Sequence, residues 1–165
     1  MLVSIQDWVF DVDISQNMQI SSQQAADHCM CGYCRNFYQT VDNTYPSLRA
    51  FLAQFGAHIE GPDELSPFEP TIYEASYIIH GRVLLKGRQQ LLSDGIPIVI
   101  LDEKQADMDT ERPTPYFVLL VGLMELPWML QEDPLEVVSP ANEPSYMARM
   151  EKKLLARMTD EHFYC

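Results

Sequence analysis

Alternating apolar and polar positions mark the first clear element of the chain. In residues 7 to 14 every second side chain is apolar and faces one side: Trp8, Phe10, Val12 and Ile14. A period of two predicts a half-buried strand in an antiparallel sheet. Asp11 and Asp13 would share the opposite side of that strand. Two carboxylates there could hold a hard cation, although a solvated strand face is the simpler interpretation.

Helical spacing replaces this alternation further along the chain. Residues 21 to 26 predict a short helical turn that follows a serine cap. From Gly32 onward, side chains recur at the intervals of an amphipathic helix: Cys34, Phe37, Tyr38 and Val41. A second helix is predicted from about Pro46 to Gln54, because Pro suits a first helical turn and Gly56 suits a helix end. The short break between these helices predicts a helical hairpin.

Strand patterns dominate the middle of the chain. Residues 57 to 70 contain several Pro residues and predict a loop. Residues 71 to 86 predict one long strand, or a strand bent near Gly81. Residues 96 to 101 predict a short apolar strand. Residues 116 to 124 form the most apolar run and predict a central strand.

The last predicted element is a helix from about Glu143 to Met158. Four of its residues are spaced for one apolar face: Met147, Met150, Leu154 and Met158. Lys152, Lys153 and Arg157 near its end suit the helix dipole. The order of elements predicts an α+β fold with a mostly antiparallel sheet, an N-terminal helical hairpin that carries the cysteine motif, and a C-terminal helix. Residues 1–165 are predicted to form a single domain, since neither half alone has a complete core.

The charge balance of the chain is strongly acidic. There are 24 Asp and Glu against 11 Lys and Arg, a formal net charge of −13. Such a chain repels a phosphate backbone, so we expect no nucleic-acid partner. The longest apolar stretch, Tyr116 to Leu130, is interrupted and too short for a membrane span. The chain does not begin with a basic and apolar leader, which predicts a cytoplasmic protein with reduced thiols.

Three of the four cysteines lie within six residues, at Cys29, Cys31 and Cys34. The motif falls where a loop enters a helix, so the free N–H groups of the first turn and the charge of Arg35 would stabilise thiolates. Three sulfurs at this spacing can meet at one point and are compatible with a structural metal site, with zinc as the expected ion. The candidates for a fourth ligand are His28, His162 and Cys165.

Two other interpretations of the cysteines stay open. They could simply pack beside Phe37 and Tyr38, because free Cys is among the most buried residue types. One of them could instead act in thiol redox or nucleophilic chemistry, with His80 or His28 as its acid–base partner. Asn36 is expected to form a cap or to bind a loop.

A separate hint of a site lies on the long predicted strand. Glu74, His80 and Arg82 share one parity and could line a cleft. A buried histidine that is satisfied by the sheet is the simpler interpretation of His80.

The run from Cys29 to Phe37 reads Cys-x-Cys-x-x-Cys-x-Asn-Phe, and Tyr45-Pro46 begins the next helix. This pattern resembles an uncharacterised family of bacterial proteins of unknown function. The resemblance covers about residues 7 to 85, with Tyr77 to Gly81 aligned to an aromatic strand that contains Gly. It implies a bacterial origin and a cysteine motif that belongs to the family, and it implies no activity.

The chain shows no recognisable catalytic constellation, which favours a binding or interaction protein over an enzyme. The expected partner is a protein or a small ligand, with the cysteine cluster stabilising the helical module. A thiol-dependent redox protein or enzyme is the first alternative. An acidic inhibitor of the immunity or antitoxin type, which would mask a basic partner, is the second.

Overall fold

An antiparallel sheet of seven strands organises the residues described by the computed structural model, which are 1–26, 29–106 and 115–134. The strands are β1 (Leu2–Ile5), β2 (Trp8–Val12), β3 (Glu64–Glu69), β4 (Ile72–Leu85), β5 (Leu91–Ser93), β6 (Ile96–Asp102) and β7 (Tyr116–Glu125). The helices are α1 (Ile14–Ala26), α2 (Gly32–Thr44), α3 (Pro46–Ala53) and the short α4 (Glu103–Ala106). The fold is therefore α+β, as the sequence predicts.

Strand β4 connects the two halves of the sheet. The strand order is β1-β2-β4-β7-β6-β5, and β3 also pairs with β4. Along one edge, β4 pairs with β7 through residues 72 to 80. Along the other edge, its first part pairs with β3 and its last part, from Gly81 to Leu85, pairs with β2. The predicted central position of β7, between β4 and β6, is confirmed.

The bend of β4 occurs at Gly81, where the strand takes up β2 as its neighbour. Gly81 has a φ of 153°, a backbone conformation that other residues rarely adopt. A Cβ atom at this position would overlap the carbonyl oxygen of Asp11 on β2. The kink that the sequence predicts near Gly81 is therefore a close approach of two backbones, which only glycine permits.

The helices α1, α2 and α3 cover one face of the sheet, called here the inner face. Three aromatic rings meet below them, since Phe10 of β2 lies 5.1 Å from Phe55 and 5.3 Å from Phe117 of β7 between ring centroids. All three rings are almost fully buried. On the opposite face, a smaller apolar cluster forms around Ile78 and Val118.

Helix α1 is attached to the bend of β4 by the buried side chain of Asn17. Its Nδ2 donates to the carbonyl oxygens of Phe55 at 2.9 Å and His80 at 3.3 Å. Its Oδ1 accepts the backbone N–H of His80 at 2.9 Å. One amide side chain thus satisfies backbone groups of two different elements, at a site where water has little access.

Several details differ from the sequence-based expectations. Strand β1 and strand β3 were not predicted, and β3 lies in the proline-rich region that predicts a loop. Pro67 is compatible with β3 because β3 is an edge strand, where a missing N–H costs little. Helix α1 spans 13 residues, longer than the predicted turn. Asp13 does not continue strand β2, because its carboxylate accepts the N–H of Gln16 at 3.1 Å and caps α1.

Two further predictions concern the ends of the chain and the membrane. The predicted C-terminal helix from Glu143 to Met158 lies outside the described residues. Among the described residues, no helix is both long and apolar enough to cross a membrane.

The turn between β5 and β6 caps helix α3. Asp94 and Gly95 form this two-residue turn, with positive φ angles of 50° and 79°. The Oδ2 atom of Asp94 accepts the backbone N–H groups of Ser47 at 2.8 Å and Leu48 at 2.9 Å. Hydrogen bonds from Ser47 and then Leu48 hold the pKa of Asp94 below its usual value. Tyr45, the residue before α3, supplies no side-chain cap of its own.

We expect Asn17→Ala to lower the free energy of unfolding by about 2 to 4 kcal/mol, because buried backbone groups of Phe55 and His80 lose their partner. Gln19→Ala, at an exposed position of the same helix, is the control and should change stability by less than about 0.5 kcal/mol. Urea unfolding of both variants checks this. Equal losses of unfolding free energy in the two variants would show that helix α1 is stabilised by its intrinsic helix propensity and not by the hydrogen bonds of Asn17.

We expect Asp94→Asn to lower the free energy of unfolding at pH 7 by roughly 0.5 to 1 kcal/mol, because asparagine keeps the turn but not the charge at the α3 N-terminus. The folded pKa of Asp94 is depressed, so its stabilisation is complete above the unfolded value of about 3.9 and is lost as the pH falls through the folded value. Urea unfolding from pH 7 to pH 3 should therefore show the two proteins converging at low pH. A constant difference would contradict a charge effect.

Candidate metal centre

The three clustered cysteines meet where the chain enters helix α2. Cys31 is the N-cap residue, with extended backbone angles, and its Sγ atom accepts the N–H of Cys34 at 3.5 Å. Cys34 lies in the first turn of the helix, and Cys29 belongs to the arm before it. The Sγ atoms of all three lie within 4.8 Å of one another. Cys29 and Cys31 are exposed and Cys34 is half-buried, so the cluster is at the surface.

Two of the three thiols share a hydrogen bond, in which Cys34 is the donor and Cys31 is the acceptor. A hydrogen bond from the Cys34 side chain lowers the pKa of Cys31 to about 5, assisted by the backbone N–H of Cys34 and by Cys29, and opposed by burial. The same hydrogen bond, followed by burial, raises the pKa of the Cys34 thiol. The backbone N–H groups of Cys34 and Tyr33 at the helix start also lower the pKa of Cys31, but the Cys34 thiol is the larger cause.

A phenol lies against the buried side of the cluster. Burial is the main cause that raises the pKa of Tyr38, and the neighbouring sulfur groups of the cluster, Cys34 first, add to the increase. Tyr38 also shares a hydrogen bond with Cys34. Tyr38 therefore stays a neutral neighbour of the sulfurs. Its position one helical turn after Cys34 is the helix spacing that the sequence shows.

Asn36 fixes helix α2 against the rest of the molecule and so sets the position of the cluster. Its side chain is buried, and Nδ2 donates to the Tyr73 hydroxyl at 3.3 Å and to the Pro127 carbonyl at 3.1 Å. Its Oδ1 accepts the backbone N–H of Met129 at 2.8 Å. The expectation that Asn36 binds a loop is confirmed, and the loop is the segment that follows β7.

This segment, residues 126–133, lies along the first turns of α2. Arg35 donates to the Glu132 carboxylate at 2.7 Å, and Trp128 Nε1 donates to the Glu132 carbonyl at 2.8 Å. The Trp128 ring meets the Tyr33 ring edge to face at 6.0 Å. The positive charge of Arg35, expected to act on the thiolates, instead pairs with Glu132. This contact was missed because no local pattern links residues 97 positions apart.

The donor set has the chemistry of a soft or borderline metal ion. Three thiolates around a tetrahedral ion with bonds near 2.3 Å would be about 3.8 Å apart. The observed limit of 4.8 Å means that each pair needs to approach by about 1 Å or less on binding. Hard cations such as Ca²⁺ and Mg²⁺ prefer oxygen ligands and do not fit this set.

The other predicted site residues fall in different places. His28, His162 and Cys165, the candidate fourth ligands, lie outside the described residues. Glu74 is half-buried on β4, His80 is 4% exposed, and Arg82 is exposed beyond the Gly81 bend. Six residues of strand, about 20 Å, separate Glu74 from His80, which is too far for one small ligand to contact both. The cleft stays a prediction.

Comparison with protein-family models, with curated proteins and with solved structures found no significant match to this chain. The resemblance of the cysteine motif to a bacterial family therefore stays a prediction.

We expect Asn36→Ala to lower the free energy of unfolding by about 2 to 4 kcal/mol, because Pro127 and Met129 lose a buried partner. Residues 126–133 should separate from α2, which would shift the fluorescence of Trp128 to longer wavelength. Asn43→Ala, at an exposed position on the same helix, should leave both properties unchanged. Unchanged emission in Asn36→Ala would contradict the role of Asn36 in holding this segment.

Proposed function

We propose that this protein is a non-enzymatic binding protein that holds a zinc ion through Cys29, Cys31 and Cys34. The observation that carries the proposal is the approach of three Sγ atoms to within 4.8 Å at the start of α2. Thiolates of this kind are the usual ligands of structural zinc sites. A fourth ligand would come from His28, His162, Cys165 or solvent.

The ion would have a structural role at the start of helix α2. Cys29 and Cys31 are exposed, and Cys31 caps α2 only through a long sulfur contact of 3.5 Å. Sulfur is a weak hydrogen-bond acceptor, so the entry to α2 is poorly fixed without the ion. Binding an ion to the folded state alone would stabilise that state by mass action. The arm before α2 would then be held against the helix.

The surface around this cluster supports a binding role. Met30 is 74% exposed between the cysteines, and Met129 is 64% exposed on the segment that Asn36 holds. Exposed methionines are adaptable contact groups in partner-binding surfaces. We infer that a protein or a small ligand binds here, in the cytoplasm that the sequence predicts and in a bacterium, as the resemblance of the cysteine motif implies.

A thiol-dependent redox function is the second candidate, supported by the position of Cys31 and Cys34 in the first turn of α2. In such a protein the Cys31 thiolate would attack a disulfide substrate and release one thiol. Cys34 would then displace the second thiol, leaving a Cys31–Cys34 disulfide and a reduced substrate. Helix α2 follows helix α1 and not a strand, so the strand–helix context of thioredoxin-like motifs is missing at this point of the described chain.

Metal analysis of the untagged protein tests the proposal. We expect about one zinc per chain, with the clustered thiols protected from a thiol reagent until a chelator is added. Chelation should also lower the melting temperature. A metal-free protein whose thiols all react without chelator would overturn the zinc proposal. One fast thiol among them would then favour the redox candidate.

Two variants separate the capping role of Cys31 from its role as a ligand. Cys31→Ser keeps a good N-cap group but removes the sulfur, so the stability of the metal-free protein should be equal or higher. Zinc affinity should fall by at least about 100-fold. Met30→Ala removes an exposed side chain between the ligands and is the matched control, which should keep both zinc and stability. Retention of zinc by Cys31→Ser would exclude Cys31 as a ligand.

A further inference from the structure

The thiols of Cys31 and Cys34 are placed to react with each other as well as with a metal ion. Cys31 is the N-cap residue of α2, and Cys34 follows it in the first helical turn. Residues three positions apart at a helix start have Cα atoms about 5 to 6 Å apart, since one helical turn rises about 5.4 Å. A disulfide requires Cα atoms about 4.4 to 6.8 Å apart. The backbone of the first turn can therefore accept a Cys31–Cys34 bond without unwinding.

The two sulfur atoms already face each other. The Sγ atom of Cys31 accepts the backbone N–H of Cys34 at 3.5 Å, and it also accepts a hydrogen bond from the Cys34 thiol. The two Sγ atoms are at most 4.8 Å apart, and a disulfide bond is about 2.05 Å long. Rotation of the two short side chains can supply this approach while the helix backbone stays in place.

Cys29 is placed less favourably for a disulfide. It lies two residues before the N-cap, outside both α1 and α2. Cys31 has extended backbone angles, and an arm that is extended as far as Cys29 would separate the two Cα atoms by about 6.6 Å. This distance is near the upper limit for a disulfide. The geometry therefore favours Cys31–Cys34 as the bonded pair and leaves Cys29 as a free thiol.

The two thiols of the pair differ in their access to solvent. Cys31 is exposed, whereas Cys34 is half-buried and shares a hydrogen bond with Tyr38. A small oxidant in solution would therefore reach the sulfur of Cys31 first. Cys34, in contact with that sulfur, is in position to attack it next. The structure thus assigns Cys31 as the oxidised thiol and Cys34 as the resolving thiol.

We propose that hydrogen peroxide converts Cys31 and Cys34 into a disulfide, and that this bond releases the ion held by the cluster. The release of the ion rests on the zinc proposal above, whereas the pairing of the thiols does not. The oxidant is a peroxide from outside the protein, and it is reduced to water. No further reactant is needed.

The reaction has two steps. The Cys31 thiolate attacks one oxygen of the peroxide, the O–O bond breaks, and Cys31 sulfenic acid and hydroxide form. The Cys34 sulfur then attacks the Cys31 sulfur, and the S–O bond breaks. The departing hydroxide takes the Cys34 proton and leaves as water. The two sulfurs together lose two electrons, which the two peroxide oxygens gain.

The disulfide would remove two of the three described metal ligands. A zinc ligand is a thiolate, and the sulfurs of a disulfide carry no negative charge. Only Cys29 of the cluster would remain as a ligand. We therefore expect the affinity for zinc to fall by more than about 100-fold on oxidation. Reduction of the disulfide by a dithiol should restore it.

Oxidation should leave helix α2 in place. The helix is held by Asn36, whose side chain bonds the Pro127 carbonyl and the Met129 N–H without involving a thiol. The new bond would also keep Cys31 over the first turn. The part that changes is the arm before the helix, because Cys29 loses its connection through the ion. The pair would therefore act as a local switch and not as a trigger of unfolding.

Peroxide treatment of the metal-free, reduced protein tests the pairing. After addition of about one equivalent of hydrogen peroxide, differential alkylation and mass spectrometry should show one disulfide within the chain, between Cys31 and Cys34. Cys29 and Cys165 should remain free thiols. In the zinc-loaded protein, a chromogenic zinc indicator should report about one ion released for each disulfide formed. The emission of Trp128 should not shift.

Two variants separate the roles of the thiols in the metal-free protein. Cys29→Ser removes a metal ligand but keeps the pair, so its disulfide should form at the wild-type rate. Cys34→Ser removes the resolving thiol, so Cys31 should accumulate as a sulfenic acid that dimedone traps. Any disulfide in this variant should form at least about tenfold more slowly than in the wild type.

Three results would overturn the inference. They are a main product whose disulfide includes Cys29 or Cys165, an unchanged rate of disulfide formation in Cys34→Ser, and zinc that stays bound after the Cys31–Cys34 disulfide has formed. A reduced protein that takes up no zinc would overturn the proposed function and with it the release of an ion. The Cys31–Cys34 disulfide in that same protein would still confirm the pairing.

Discussion

The close approach of β4 and β2 at Gly81 is the constraint on which the sheet depends. The carbonyl oxygen of Asp11 occupies the space that a Cβ atom would need, so the two backbones can meet only because this residue is glycine. Asn17 then binds both backbone groups of His80 next to the bend and attaches helix α1 there. This contact of backbones thus allows β2 to pair with the last part of β4, and the hydrogen bonds of Asn17 place helix α1 beside it.

The cysteine cluster depends on this frame through helix α2. Helix α2 is held by Asn36, whose buried side chain connects Tyr73 of β4 with the segment after β7. The thiols lie at the exposed end of the same helix. The core therefore fixes the direction of α2, and the Cys29 thiol before the helix hydrogen-bonds to Cys31 at its start. A metal ion bound at this position would join Cys29 to the first turn of α2.

The differences from the sequence-based expectations have specific physical causes. The Gly and Pro residues between 57 and 70 predict a loop, but Pro67 lies in the edge strand β3, where a missing N–H is tolerated. Helix α1 was underestimated because few of its residues are apolar; its attachment rests on the polar side chain of Asn17. The pairing of Arg35 with Glu132 joins residues far apart in sequence, and no local pattern can reveal such a contact.

The sequence alone determined the strand period around Phe10, the helix stripe through Phe37, the bend at Gly81 and the grouping of the three thiols. These are local properties, since periodicity and close spacing depend only on neighbours in the chain. Tertiary structure decided the order of strands, the capping of α3 by Asp94 from a distant turn, and which face of the sheet the helices cover. These features depend on which distant groups can form hydrogen bonds with each other and exclude water together. Such groups meet only when the whole chain packs, so no local pattern reveals them.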